Sequence, residues 1–292
     1  MYKELDLKSL QFNLLQMMQK INEICCQEKI KYFMLGGTFI GAVRHKGFIP
    51  WDDDIDIAMD RKNYEKFLSI IEKKLPSNME LVYYNKKETN VHWIKIIDKR
   101  FRIVEKMDNI ETEQYLFVDI FPFDNVPDNV IERKIFGLKI YLKGKKLKLA
   151  QMLYISEKNN QKFNRNLKNI IVKILKLKML KKYFDIQKVQ GQYDKLISKY
   201  KDKETRLIAN LCVNHNFDNI YREMFEKEKI SSIVEYNFED TRLKGIENYD
   251  YLLRQTFGDY MKLPPKEEQK SKHFVKLIDL RGEKEEWYMQ LF

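Results

Sequence analysis

Apolar and polar residues follow two different periods along this chain, and the two periods predict a mixture of helices and strands. Apolar side chains recur every three or four residues in 5–30 and 61–75, as in helices that pack on one face, and Pro76 ends the second stretch. Short apolar or alternating runs predict strands at 32–35, 80–84, 91–97, 102–105 and 116–124. We therefore expect an α+β fold in which helices flank a mixed, mostly antiparallel sheet.

The most informative segment carries closely spaced aspartates. Asp52, Asp54 and Asp56 alternate with other residues, and the pattern of Ile55 and Ile57 predicts a strand with one apolar face. Residues two apart on a strand share a face, with Cα atoms roughly 6.5 to 7 Å apart. Carboxylates at that spacing repel each other unless a cation lies between them, so the segment predicts a site for Mg²⁺ or Mn²⁺.

A glycine turn precedes the acidic strand and predicts a phosphate-binding site. Gly36 and Gly37 have no Cβ atoms, so backbone N–H groups can approach an anion at the start of a helix expected over 38–43. Thr38 can cap this helix and offer its hydroxyl to the same anion. Arg44 follows the helix; its guanidinium suits bidentate phosphate binding, and a structural or solvated arginine is the alternative.

A further carboxylate lies in the most apolar of the predicted strands. Asp119 is costly to bury there unless it is paired, hydrogen-bonded or bound to a metal, so a catalytic role and structural capping are both open. On the strand predicted at 91–97, Lys95 lies on the face opposite Ile94 and Ile96. It is a candidate for phosphate contact, with an exposed strand lysine as the alternative.

A Gly-Gly-Thr turn before a helix, followed by Asp-x-Asp on a strand, resembles the nucleotidyltransferase fold of polymerase beta and its relatives. The wider motif, from Gly36 through Arg44 to Pro50-Trp51-Asp52-Asp53-Asp54-Ile55-Asp56, closely resembles the opening motif of the LicD family. Val118-Asp119-Ile120-Phe121-Pro122 and the C-terminal block 249–265 resemble further family segments. The family comprises phosphocholine transferases of bacterial surface glycans and is similar to fukutin and fukutin-related protein.

This resemblance implies metal-dependent transfer of a phospho-alcohol from CDP-choline, or another CDP-alcohol, to a hydroxyl of a teichoic acid, lipopolysaccharide or capsule precursor. It implies catalytic roles for Asp54, Asp56 and Asp119, which together with Asp52 would hold the metal. Asp119 would either bind the metal or take the proton from the hydroxyl of the acceptor. The implied contacts to the donor diphosphate are Gly36, Gly37, Thr38, Arg44 and Lys95. Arg254 and Tyr260 in the C-terminal block, and His273 after it, are candidates for substrate contact. Residues 266–272 depart from the family's arginine-bearing pattern.

The formal charge of +11 is concentrated in one segment. Residues 132–188 contain 17 Lys or Arg and three acidic residues, a net of +14, which leaves −3 for the rest of the chain. This basic segment predicts helices that contact an anionic membrane or an anionic glycan, or a solvated insertion; nucleic acid is the least favoured partner. An apolar content of 44% and an aromatic content of 13% favour a folded chain over a disordered one.

The hydropathy and the cysteine content of the chain indicate its compartment. No apolar run reaches the ~20 residues of a spanning helix, and three cysteines without ligand spacing suit a reducing compartment. We expect a cytoplasmic protein, either free or peripheral at the inner face of the membrane.

Residues 1–130 are expected to form the catalytic core. Residues 131–292 are expected to form a basic helical segment and a block closing the site, with one continuous domain as the alternative.

Two other functions remain open at this stage. One is a nucleotidyltransferase that moves NMP from an NTP to a small molecule. The other is a basic glycan- or RNA-binding protein without catalysis, which is disfavoured because carboxylates that are costly without metal are all present.

Overall fold

The computed structural model describes residues 3–87, 89–107, 110–158, 182–213, 217–271 and 274–281. The chain divides into two compact units, each assembled from separate stretches. The first unit is formed from Met1–Leu81, Lys95–Phe121 and Lys227–Phe292, and the second from Val82–Ile94 and Pro122–Glu226. The division into domains at residue 130 stays a prediction.

The secondary structure alternates between helices and strands along the chain. The helices are α1 (Leu7–Gln27), α2 (Gly36–Arg44), α3 (Arg61–Lys74), α4 (Val130–Lys158), α5 (Ile186–Ile197), α6 (Phe217–Arg222), α7 (Lys227–Ile230) and α8 (Tyr249–Phe257). The strands are β1 (Lys3–Leu5), β2 (Phe33–Met34), β3 (Asp56–Asp60), β4 (Met79–Val82), β5 (Ile94–Met107), β6 (Ile110–Val126), β7 (Leu207–Asn210), β8 (Met224–Glu226), β9 (Ile233–Phe238), β10 (Thr241–Ile246) and β11 (Phe274–Asp279). Short 3₁₀ helices lie at Ser198–Tyr200 and Lys266–Glu268.

The two long N-terminal helices confirm the predicted apolar stripes. Helix α1 begins after Asp6, whose carboxylate accepts a hydrogen bond of 2.9 Å from the Ser9 N–H. Asp60 caps α3 in the same way through the Asn63 N–H, at 2.8 Å. The buried face of α1 comprises Leu10, Leu14, Leu15, Met17, Met18, Ile21, Ile24 and Cys25.

The sheet of the first unit has the strand order β1-β11-β5-β6-β3-β2, and β4 also pairs with β5. The pairs β1/β11, β11/β5 and β2/β3 are antiparallel, and β9 and β10 form a separate antiparallel hairpin. Helices flank this mixed sheet, so the predicted α+β class is confirmed, and the arrangement is consistent with a nucleotidyltransferase-like fold.

The second unit combines the end of β6 with long helices. Residues Phe123 to Val126 of β6 pair with β7, which pairs in turn with β8, both antiparallel. Helix α4 packs on α5. Buried Gln190 of α5 donates from Nε2 to the carbonyl oxygens of Thr89 (2.7 Å) and Val91 (2.9 Å), which fixes the segment before β5.

Several boundaries differ from the predicted ones. The strands expected at 91–97 and 102–105 are one strand, β5, and the strand expected at 116–124 lies within the longer β6. Charged side chains pair across the two strands: Arg102 Nη1 lies 2.8 Å from Glu113 Oε2. None of the helices in the described stretches is long and apolar enough to cross a bilayer.

Candidate active site

The acidic segment gathers carboxylates at the entrance to β3. One carboxylate oxygen from each of Asp52, Asp53 and Asp54 lies within 4.8 Å of the others. Only Asp56 belongs to the strand; Asp52 and Asp54 lie in the irregular segment before it. The prediction that three aspartates share one face of a regular strand is therefore wrong for Asp52 and Asp54, although Ile55 enters the core as expected.

Backbone contacts hold the irregular acidic segment in place. The Asp52 N–H donates to the Ile49 carbonyl oxygen at 2.9 Å, which makes a turn. Gln11 of α1 donates from Nε2 to the carbonyl oxygens of Asp52 (2.8 Å) and Ile49 (3.3 Å). Helix α1 thus positions the acidic segment through the main chain of Asp52 and Ile49.

The glycine turn lies directly against two of these carboxylates. Gly36 has a φ of +59°, and a Cβ atom added there would lie 3.3 Å from Asp56 Oδ2. A Cβ atom on Gly37 would lie only 2.4 Å from Asp52 Oδ2. Glycine is favoured at position 36 by the positive φ and at position 37 by the close approach of the Asp52 carboxylate, a reason that the sequence pattern did not reveal.

Thr38 has a different local role from the predicted one. The short helix expected over 38–43 begins two residues earlier, at Gly36, so Thr38 is its third residue and does not cap it. The Thr38 side chain is buried, and its Oγ1 accepts a 2.9 Å hydrogen bond from the Asp56 N–H. The hydroxyl therefore fixes the start of β3 against α2.

Asp119 lies beside the acidic segment, as predicted. Its N–H donates to the Ile55 carbonyl oxygen at 3.1 Å, which places β6 next to the chain entering β3. Lys95 Nζ lies 3.6 Å from Asp119 Oδ1, and both side chains are about one-tenth exposed. The same ammonium group lies 3.0 Å from the centroid of the Phe117 ring. Lys95 is thus part of the carboxylate cluster and not an exposed strand lysine.

Negative charge at this site exceeds the positive charge available to it. Burial, followed by the carboxylates of Asp52, Asp53, Asp119 and Glu105, raises the pKa of Asp54 well above the ordinary 3.8. Burial, Asp54, Asp119 and Asp52 raise the pKa of Asp56 in the same direction, and Lys95 opposes them. The cluster therefore costs electrostatic free energy that one ammonium group does not offset.

A hard divalent cation fits this donor set. Carboxylate oxygens are the ligands that Mg²⁺ and Mn²⁺ prefer, and Asp52, Asp54 and Asp56 are half-buried residues. A bound cation would reverse the repulsion that raises the pKa values of Asp54 and Asp56. The three carboxylates within reach of one ion, those of Asp52, Asp53 and Asp54, include two of the four predicted ligands, and the assignment of Asp56 and Asp119 to the metal stays a prediction.

Asp53 has a role that the sequence analysis missed. Its Oδ2 accepts hydrogen bonds from the Ser271 hydroxyl and from the Phe274 N–H, the latter at 2.8 Å. These partners are more than 200 residues away along the chain, so no local pattern could have indicated the contact. Asp53 ties the acidic segment to the start of β11.

Arg44 forms a hydrogen bond with Tyr260, one of the candidate residues of the C-terminal block. Arg44 Nη1 donates to the Tyr260 carbonyl oxygen at 2.7 Å, and its Nε donates to His45 Nε2 at 2.9 Å. The Tyr260 hydroxyl donates to Asp250 Oδ1 at 2.8 Å, and Arg254 Nε pairs with Asp250 Oδ2 at the same distance. Partial burial lowers the pKa of Arg44.

These contacts link the end of α2 to the loop after α8. His273, the remaining candidate, lies outside the described residues.

Comparison with known proteins decides the family. The lipopolysaccharide cholinephosphotransferase LicD of Haemophilus influenzae is 32% identical over 273 residues, which cover 93% of this chain and 97% of that protein. The chain belongs to the LicD family. Residues 29–155 also match the family described as LicD/FKTN/FKRP, nucleotidyltransferase domain, and this LicD range includes the glycine turn, the acidic segment, Lys95 and Asp119.

Two further relatives match parts of the chain. An uncharacterised protein of Rickettsia prowazekii is 30% identical over 130 residues, 44% of this chain and 46% of that protein. An uncharacterised protein of Rickettsia typhi is 41% identical over 59 residues, which cover 20% of this chain and 19% of that protein. The resemblance to the LicD family noted from the motifs is confirmed by the family match and by the Haemophilus protein.

Proposed function

We propose that this LicD-family chain transfers phosphocholine, or a related phospho-alcohol, from a CDP-linked donor to a hydroxyl of a cell-surface glycan such as lipopolysaccharide. The observation that carries the proposal is the convergence of Asp54, Asp56 and Asp119 beside a glycine turn. The Haemophilus relative, by its name a lipopolysaccharide cholinephosphotransferase, supports the choice of choline and of this acceptor class. A teichoic acid or capsule precursor is the same kind of acceptor.

The carboxylates are assigned to metal binding. Asp52, Asp54, Asp56 and Asp119 would hold one or two Mg²⁺ or Mn²⁺ ions. When bound, such ions neutralise the charge that develops on the donor diphosphate and on the leaving CMP. The residues' own contribution would be to bring these carboxylates together, with Lys95 pairing with Asp119.

The start of α2 is assigned to the donor diphosphate. Backbone N–H groups at Gly36, Gly37 and Thr38 belong to the first turn of the helix, where they have no intrahelical acceptor and suit an anion. Thr38 would bind through its N–H, because its hydroxyl is engaged with Asp56. Arg44 and Lys95 add positive charge, and the contact of Arg44 with Tyr260 orients the guanidinium.

Transfer of phosphocholine forms one bond to phosphorus and breaks another. The acceptor oxygen forms a bond to the phosphorus that carries choline, and the bond from that phosphorus to the bridging oxygen of CDP breaks. CMP leaves with the electron pair, and the acceptor proton passes to a base, for which Asp119 is the candidate. Attack on the other phosphorus would instead transfer CMP and release phosphocholine.

Arg254 and Tyr260 in the C-terminal block, and His273 after it, are the candidates for acceptor or alcohol contact. We place the enzyme in the cytoplasm, either free or peripheral at the inner face of the membrane.

The test is release of CMP from CDP-choline, CDP-ethanolamine, CDP-ribitol and CDP-glycerol with Mg²⁺ and a glycan extract as acceptor. Asp56→Asn is the inactivating variant, and Asp240→Asn, an exposed carboxylate of the first unit, is the matched control. We expect metal-dependent CMP release from one donor, lost with Asp56→Asn and kept with Asp240→Asn. Choline phosphate in place of CMP would identify the other phosphorus as the target.

Two outcomes would contradict the proposal. Release of pyrophosphate from an NTP, with no CMP from any CDP-alcohol, would make the chain a nucleotidyltransferase. Glycan binding that occurs without turnover, and that survives Asp56→Asn, would make it a binding protein.

A further inference from the structure

Helix α4 carries an exposed apolar stripe. Ile131, Ile135, Leu138 and Leu142 are 71%, 51%, 50% and 58% exposed. Their spacing of four, three and four residues places them on one side of the helix, over a length of about 17 Å. Contiguous exposed apolar surface of this kind marks an interaction site.

The stripe is not the face by which α4 packs into its own unit. Phe136, Ile140 and Leu147 are buried, and at 100° per residue they lie on the opposite side of the helix. The Phe136 ring packs edge-on against Tyr200, with ring centroids 5.0 Å apart. The helix thus has two apolar faces, one used for packing and one directed outward.

Lysines border the outward stripe on both sides. Lys134 and Lys145 lie along one edge of the helical projection, and Lys139 and Lys146 along the other. Lys146 Nζ lies 3.4 Å from the centroid of the Tyr183 ring, and Tyr183 is 58% exposed. Apolar side chains bordered by lysines and an exposed tyrosine are the composition of a helix that lies in a membrane interface.

The charge of α4 argues against a second copy of the chain as the occupant. Residues 130–158 contain eight Lys or Arg and two acidic residues, a net of +6. One of those acids, Glu132, accepts a 2.7 Å hydrogen bond from the Tyr200 hydroxyl. Pairing two such helices through their stripes would bring lysines together, whereas an anionic surface complements them.

We propose that the stripe Ile131-Ile135-Leu138-Leu142, with its flanking lysines, docks α4 flat on an anionic lipid bilayer. The apolar side chains enter the boundary between head groups and acyl chains, and the lysines contact anionic head groups. This surface is independent of the proposed chemistry, because the stripe lies in the second unit and the carboxylate cluster lies in the first.

The experiment measures co-sedimentation of the full chain with two kinds of vesicle, phosphatidylcholine alone and phosphatidylcholine with phosphatidylglycerol, without any donor or acceptor. We expect binding to the anionic vesicles that weakens as salt is raised. Ile135→Ser with Leu138→Ser should reduce the partition coefficient at least tenfold. Lys134→Gln with Lys139→Gln should reduce it about 30-fold, at about 1 kcal/mol for each lysine.

Matched controls remove similar groups elsewhere. Phe12→Ser deletes an apolar side chain that is 60% exposed on α1, and Lys262→Gln with Lys270→Gln removes two exposed charges. These variants should bind as the wild type does, and circular dichroism should show that all variants are folded.

Equal binding to both vesicles, absence of binding, or equal losses in the controls would overturn the proposal. So would a dimer in light scattering that Ile135→Ser with Leu138→Ser dissociates while vesicle binding is unchanged.

Discussion

Replacing Gly37 with alanine tests whether the glycine turn exists to admit the acidic segment. The new Cβ atom would lie 2.4 Å from Asp52 Oδ2 and 3.3 Å from Asp52 Cγ, so the carboxylate has to move. The backbone of Asp52 cannot follow freely, because Gln11 and the Ile49 turn hold it. We therefore expect the side chain to rotate away from the cluster.

The magnitude follows from two opposing effects. Alanine in place of a helical glycine stabilises a protein by about 0.5 to 1 kcal/mol, and overpacking costs about 1 to 3 kcal/mol. The net loss of unfolding free energy should therefore stay below about 2.5 kcal/mol. Misplacing a catalytic ligand by ~1 Å costs roughly 100-fold in rate, so CMP release should fall about that much in a protein that is still folded.

Gly191→Ala provides the matched control. Gly191 lies inside α5, and its added Cβ atom would meet only the Tyr84 ring, at an ordinary contact distance of 3.6 Å. Urea unfolding should show a gain of about 0.5 to 1 kcal/mol, with CMP release unchanged. Wild-type CMP release and stability for Gly37→Ala would refute the argument, because Asp52 would then be shown to move without consequence.

Three further predictions concern the cluster and the cysteines. Lys95→Met removes the ammonium group beside Asp119. In urea unfolding without metal, the variant should lose about 3 kcal/mol of unfolding free energy. An unchanged urea midpoint would contradict the pairing of Lys95 with Asp119. Because the folded-state pKa values of Asp54 and Asp56 are raised, metal-free Asp56→Asn should be more stable than wild type at neutral pH. The stability advantage of Asp56→Asn should shrink as the pH falls towards 3.8. At neutral pH, Mg²⁺ should make the wild type the more stable protein. Thermal melts at several pH values, with and without Mg²⁺, would test both expectations. Burial raises the pKa of the Cys25 thiol to about 12, so at pH 8 iodoacetamide should label exposed Cys26 and spare Cys25, as peptide mass mapping would show.

The sequence predicted the main helices and the grouping of carboxylates because both depend on local pattern. The stripe of α1 and the apolar neighbours of Asp119 are readable along the chain. The start of β3 was placed too early, because alternating residues such as Ile55 look the same in an extended segment and in a strand. A strand is defined by its partner, which the alternation does not specify.

Long-range contacts account for the rest of the site. The bonds of Asp53 to Ser271 and Phe274 join residues that no local rule relates, so the anchoring role of Asp53 could not be predicted. In α4, the lysine-rich pattern was visible but the docking face was not, because apolar residues on two opposite sides of a helix weaken the periodic signal.

The position of β11 in the sheet has a consequence for the order of events during translation. This strand pairs with β1 on one side and β5 on the other, so the last described strand to be synthesised joins the first. The partners of Asp53 emerge from the ribosome at the same late stage. A nascent chain carries its aspartates early but cannot complete the sheet until Asp279 is outside the exit tunnel. Premature stop codons as late as position 270 should therefore abolish activity although every carboxylate of the cluster has already been made.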